Sequence, residues 1–161
     1  MIRNIIKGGL TVLAAVLVFF ALRQISLPLV IGVNVFTVAV IVYAVSEGEI
    51  AGALAGAVCG LIIDAFSLGL FGLAGLSKTV TGFLAGFISR KINVQPPGRM
   101  FIFAGLLGAA DLALWVLLAT LIAAEGFPWA GGWLLVQPVG TAVLATAVIL
   151  VLRRIKARRA L

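Results

Sequence analysis

Six apolar runs, each about 20 residues long, make up most of the chain, and their length restricts the fold more than any other feature. A helix needs about 20 mainly apolar residues to cross the roughly 30 Å of hydrocarbon in a bilayer. The runs lack the period-2 alternation of outer-membrane strands. We therefore predict an all-α, polytopic membrane bundle in which residues 1–161 form a single integral-membrane domain. The six predicted transmembrane helices are 4–22, 28–46, 49–67, 72–89, 100–123 and 134–152.

The composition argues against most kinds of catalytic or metal site. Hydrophobic residues make up 63% of the chain and charged residues 11%, whereas about a quarter of a soluble domain is charged. There is no histidine, and the single cysteine, Cys59, lies inside an apolar run. Disulfides and His-based metal or nucleophile sites are thereby excluded, and the five acids offer few ligands for a hard cation. We predict no catalytic residue, no cofactor and no metal.

The basic residues predict the orientation of the chain in the membrane. With six spans and a cytoplasmic N-terminus, ten of the twelve Lys and Arg residues fall on the cytoplasmic side, as the positive-inside rule requires. Both termini are therefore predicted to be cytoplasmic. The net charge of +7 then reflects topology and contact with anionic membrane lipid rather than nucleic acid. The ten residues are Arg3, Lys7, Arg90, Lys91, Arg99, Arg153, Arg154, Lys156, Arg158 and Arg159.

Glycines at four-residue spacing mark the third predicted helix and recur in the fourth. Such rows of small residues let membrane helices approach closely. One interpretation is packing within the bundle. The other is a groove that receives a partner protein or a lipid. The glycines that carry this prediction are Gly52, Gly56, Gly60, Gly82 and Gly86.

Two ionisable residues, Asp64 and Lys78, flank the predicted turn between helices 3 and 4. An unpaired charge inside a membrane span costs several kcal/mol. We therefore predict that the two side chains lie at a similar depth and pair, or share a polar pocket with Ser67, Ser77 and Thr79. In the alternative, Lys78 extends to the outer interface and Asp64 accepts hydrogen bonds from turn amides.

A further acid, Asp111, lies near the middle of the fifth predicted helix. An ionisable residue at that depth is by default a functional hypothesis, such as a proton relay or a ligand contact. No cation is evident opposite it in the sequence. The alternative is a protonated Asp111 that is hydrogen-bonded to helix 3 or helix 6.

The segment from Gly56 to Gly86 resembles the signature of the rod-shape-determining protein MreD family. Size, six spans, cytoplasmic termini and an acid in the fifth helix, Asp111, are similar as well. The residues that match the family pattern are Gly60, Leu61, Asp64, Ser67, Gly72, Leu76, Lys78, Thr79, Gly82, Phe83 and Gly86.

The resemblance implies a non-enzymatic scaffold of the bacterial cell-elongation machinery in the inner membrane. Its direct partner would be an MreC-like single-span coiled-coil protein, whose membrane helix would dock on the glycine-rich surface. Through that partner it would reach the SEDS glycosyltransferase, the penicillin-binding transpeptidase and the actin-like filament protein.

The MreD family is also similar in its six-helix fold to the substrate-binding S components of energy-coupling-factor vitamin transporters. An S component is therefore the alternative function. The outer loops favour the scaffold, because an S component needs polar and aromatic groups there, and only Glu125, Trp129 and Trp133 are present.

Overall fold

The computed structural model describes residues 2–25, 33–66, 72–94, 96–122 and 136–158. The described residues form six α-helices and no strand, which confirms the all-α prediction. In chain order the helices are α1 (Ile2–Ile25), α2 (Val35–Glu47), α3 (Glu49–Phe66), α4 (Leu73–Lys91), α5 (Pro97–Ile122) and α6 (Gln137–Arg158).

Helix ends follow local chemistry. α5 begins at Pro97, where the missing N–H of proline removes no helical hydrogen bond. α6 continues past the predicted end at 152 to Arg158, because the Arg, Lys and Ala residues of the tail are good helix formers. Gly48 and Gly72 have φ of 100° and 99°, a backbone conformation that favours glycine, and each directly precedes a helix. The predicted loop with Glu125, Trp129 and Trp133 lies outside the described residues, as do Pro28 and Ser67.

Four of the helices are long and apolar enough to cross a membrane. These segments are Lys7–Gln24, Glu49–Phe66, Pro97–Ile122 and Gln137–Ile155. α2 is apolar but has only 13 residues. α4 has 19 residues and carries Ser77, Lys78, Thr79 and Thr81 along its length. The chain is thus consistent with a membrane protein, and crossing by α2 and α4 stays a prediction.

α2 lies at the centre of the helix bundle. Nine of its 13 residues are buried, and it contacts every other helix. One apolar core joins α2 to α4, α5 and α6 around Ile41, Met100 and Ala145. A second core joins α2 to α1 and α3 around Phe36 and Cys59. Thr37, near the start of α2, is accordingly only 1% exposed.

α3 and α4 form the most extensive helix pair, an antiparallel hairpin. A Cβ added at Gly52 or at Gly82 would strike the backbone of the other glycine. Gly56 lies against the carbonyl of Lys78, and Gly60 against that of Ala74. Any side chain at these positions would separate the two backbones.

Ion pairs tie the helices together at one end of the bundle, which we call the basic end and define by Lys7, Arg90, Lys91 and Arg153. Lys7 Nζ lies 2.7 Å from Glu47 Oε1 and joins α1 to α2. Arg90 lies 2.9 Å from Glu49 Oε1 and joins α4 to α3. Because the basic members are half or more exposed, each pair contributes about 0–1 kcal/mol.

Candidate functional site

Lys78 and Asp111 form an ion pair in the interior of the bundle. Lys78 Nζ lies 2.7 Å from Asp111 Oδ2, and the two residues are 3% and 5% exposed. The pair joins α4 to α5. The interpretation that no cation faces Asp111 was therefore wrong, and so was the alternative in which Lys78 extends to the outer interface. Because both charges are buried, either one without its partner would be neither paired nor solvated, which is strongly destabilising.

Three hydroxyl groups complete the site around the Asp111 carboxylate. Thr37 Oγ1 on α2 donates to Oδ2 at 2.7 Å and accepts from Lys78 Nζ at 2.7 Å. Ser77 Oγ donates to Oδ1 at 2.5 Å, and Thr81 Oγ1 lies 3.4 Å from the same oxygen. Both carboxylate oxygens are thus hydrogen-bonded, and three helices are joined. We call these five residues the polar core.

The local sequence explains how one helix supplies three of these groups. Ser77, Lys78 and Thr81 are spaced i, i+1 and i+4, which places them on one side of α4. Ser77 was predicted to serve a pocket around Asp64, and the structure places it on Asp111 instead. Thr37 and Thr81 were missed. The sequence signal for Thr37 was a lone threonine in the apolar stretch from Val35 to Ala44. A buried charge pair needs hydrogen-bonding groups around it, and this threonine could supply one.

Asp64 does not pair with Lys78, so the predicted ion pair was wrong. Its carboxylate instead accepts from the backbone amides of Gly72, Ala74 and Gly75 at 3.0, 3.1 and 3.0 Å. These are the free N–H groups at the start of α4, where the helix dipole also favours a negative charge. The structure therefore confirms one part of the alternative, in which Asp64 accepts hydrogen bonds from turn amides.

The register of the hairpin gives the physical reason. The Lys78 backbone packs on Gly56, and Gly56 is eight residues before Asp64. At 1.5 Å per residue the two levels are about 12 Å apart along α3. Thr79 Oγ1 is likewise occupied elsewhere, since it donates to the carbonyl of Gly75 at 2.7 Å.

Replacing Asp64 with asparagine is expected to loosen the start of α4. The neutral amide keeps one acceptor oxygen but loses the charge-assisted bonds, a loss of about 1.5–3 kcal/mol in unfolding free energy. Hydrogen exchange at the amides of Ala74 and Gly75 should accelerate, while exchange at Leu107 in α5 should stay unchanged. Equal protection of Ala74 and Gly75 in both proteins would contradict this capping role.

The predicted glycine surface is occupied within the molecule. The Gly52, Gly56 and Gly60 side of α3 lies against α4, and Gly82 and Gly86 lie against α3. A partner helix therefore cannot use this side as an open groove while the hairpin is closed. The packing interpretation describes these glycines, and the docking-groove interpretation does not.

The polar core can hold three helices in register, and it is enclosed by protein. Among the residues that the structure describes, no group of three or more His, Cys, Asp or Glu side chains is placed to hold a metal ion. Comparison with known proteins found no match to this chain among family models, curated proteins or solved structures.

Proposed function

We propose that this chain is a non-enzymatic membrane scaffold of the MreD type, which binds the membrane helix of an MreC-like coiled-coil protein and links it to lateral peptidoglycan synthesis. The observation that carries the proposal is that the motif residues hold the helices of the bundle together. Gly60 and Gly82 close the hairpin, Asp64 holds the start of α4 and Lys78 holds α5. Because these motif residues hold the helices together, the motif suits a rigid scaffold that positions other proteins.

The proposal includes a topology. All six helices cross the bacterial inner membrane, and both termini are cytoplasmic, in a fold similar to that of S components. The four long apolar helices support this, as does the gathering of Lys7, Arg90, Lys91 and Arg153 at the basic end. Six crossings place that end in the cytoplasm by the positive-inside rule.

The partner surface that we propose is the outer hairpin face, the side of α3 and α4 turned away from the polar core. It consists of exposed apolar side chains on both helices, and a single apolar helix of the partner fits against such a surface. Because the glycine side is filled, this face replaces the glycine groove as the docking site. Its residues are Ile50, Leu54, Val58 and Leu61 on α3, with Leu76, Val80, Phe83 and Phe87 on α4.

The test is co-purification of the full chain with a co-expressed MreC-like partner from membranes. Leu54→Trp is expected to lower partner recovery roughly thirtyfold, the effect of losing one strongly contributing contact. Leu106→Trp on α5 is the matched control, because Leu54 and Leu106 are 64% and 67% exposed. Both variants add the same ring to an apolar, outward position.

The outcomes separate the function from its location. Failure of the wild-type chain to retain the partner would reject the scaffold function. Retention by Leu54→Trp and loss by Leu106→Trp would move the interface to α5. A tightly bound vitamin in the purified wild-type chain would favour the S-component alternative instead.

A further inference from the structure

A pocket of about 300 Å³ opens at the basic end of the bundle. The last turn of α4 and the connection after it, residues 89–94, form most of its wall. Val45 of α2 and Arg153 of α6 complete it. The pocket therefore lies near the last residues of α2 and α4 and beside the last turns of α6, next to the apolar segments and outside the polar core.

Basic side chains dominate the charge of this pocket. Arg90, Lys91 and Arg153 all line it. Arg90 also pairs with Glu49 at 2.9 Å, and Lys91 Nζ lies 4.4 Å from the centre of the Phe87 ring. Among the lining residues that the structure describes there are these three basic side chains and no acidic one, so the pocket wall carries an excess of positive charge. Ser89, whose Oγ donates to the Gly86 carbonyl at 2.9 Å, and Asn93 add polar surface to the wall.

Arg153 differs from the arginine beside it in the basic tail. It is half-buried and lines the pocket, whereas Arg154 is exposed and does not. Adjacent residues of a helix point about 100° apart, so the two arginines lie at nearly the same level of α6 but face different surroundings. The adjacent pair therefore offers a built-in comparison between a pocket arginine and a surface arginine.

The remaining lining residues are apolar. Val45, Ile92 and Val94 contribute to the wall, Ile92 is exposed, and Leu152, just before Arg153, is exposed as well. A ligand with an anionic head and a hydrocarbon tail matches both parts, and basic pockets between membrane helices bind phospholipid headgroups in this way.

We propose that this pocket is a specific site for an anionic phospholipid, whose phosphate lies between Lys91 and Arg153 and whose acyl chains follow the exposed apolar surface beside Ile92 and Leu152. The site needs no protein partner, and it goes beyond the proposed scaffold function. It would anchor α4 and α6 to the same lipid.

The test measures lipid binding to the full chain in detergent, by native mass spectrometry during titration with phosphatidylglycerol or phosphatidylcholine. Arg153→Gln is expected to weaken phosphatidylglycerol binding about fivefold, and Lys91→Gln/Arg153→Gln about thirtyfold, as the loss of one and two interfacial cations predicts. Arg154→Gln is the matched control and should change binding less than twofold. Circular dichroism verifies that each variant keeps its helices.

Three results would overturn the proposal. Equal losses in Arg153→Gln and Arg154→Gln would reduce the site to a diffuse charge effect. Equal binding of phosphatidylcholine to the wild-type chain would remove the requirement for an anionic headgroup. Inorganic phosphate that displaces phosphatidylglycerol at equal concentration would identify a soluble phosphate site. If Arg153→Gln loses its helices, Lys91→Gln alone decides, because Lys91 is exposed.

Discussion

Replacing Lys78 with methionine is expected to lower the free energy of unfolding by about 3–5 kcal/mol, the usual effect of removing one partner from a buried ion pair. Methionine is unbranched like lysine and only one atom shorter, so the loss is mainly electrostatic. The variant leaves Asp111 as a buried carboxylate that still accepts from hydroxyl groups but has lost the ammonium group that lay 2.7 Å from Oδ2. Because Asp111 is only 5% exposed, little water can replace the lost ammonium group.

The measurement is reversible unfolding of the purified chain in mixed micelles, followed by helical circular dichroism. Lys91→Met is the matched control on the same helix, and its exposed ammonium contributes about 0.5–1 kcal/mol through the Phe87 ring. A loss in Lys78→Met as small as that of the control would contradict a structural role for the polar core.

Double variants identify the partner of Lys78. Lys78→Met combined with Asp111→Asn should be markedly less destabilised than the sum of the single variants, because residues in one network couple by about 0.5–3 kcal/mol. Lys78→Met combined with Asp64→Asn should be additive within about 0.5 kcal/mol. The reverse pattern would restore the pairing of Lys78 with Asp64.

Replacing Gly56 with alanine is expected to open the α3–α4 hairpin and lower the free energy of unfolding by about 1–3 kcal/mol, the range for overpacked cores. The added methyl group would meet the Lys78 carbonyl, a backbone atom that cannot move as a flexible side chain does. The same shift displaces the Lys78 ammonium from Asp111. The expected loss therefore lies at the upper end of that range.

Gly9→Ala provides the matched control for this variant. Gly9 is also helical, but a Cβ added there meets no atom within 4 Å, and alanine is the better helix former by about 1 kcal/mol. The thermal unfolding temperature should therefore be unchanged or slightly raised in Gly9→Ala and lowered in Gly56→Ala. A Gly56→Ala protein as stable as the wild type would show that the hairpin does not need its close approach.

This packing changes how variants at the glycines are interpreted. Leucine at Gly56 or Gly60 would abolish hairpin closure directly, so loss of a partner in such a variant would not locate a docking site. The exposed Leu54 on the opposite side of α3 tests docking without that complication. The closed hairpin also explains how small residues and a buried lysine occur together in one motif.

The sequence by itself determined the helical class, the approximate helix positions and the identity of the buried ionisable residues. These properties depend on neighbours along the chain: the length of an apolar run, a proline at a helix start, a glycine before a helix. The prediction of 49–67 for a helix observed at Glu49–Phe66 illustrates this. Asp64, Lys78 and Asp111 could be identified as buried because each lies within an apolar segment.

Only the tertiary structure decided which of these residues meet. The partner of Lys78 depends on the register of α4 against α3 and on the rotation of α5. A level difference of about 12 Å between Asp64 and Lys78 excludes one pair and permits another. The same packing decided that the glycines face α4 instead of a partner. Register and rotation arise from contacts between distant segments, such as Gly52 with Gly82 and Thr37 with Asp111, and residue spacing along the chain does not encode them.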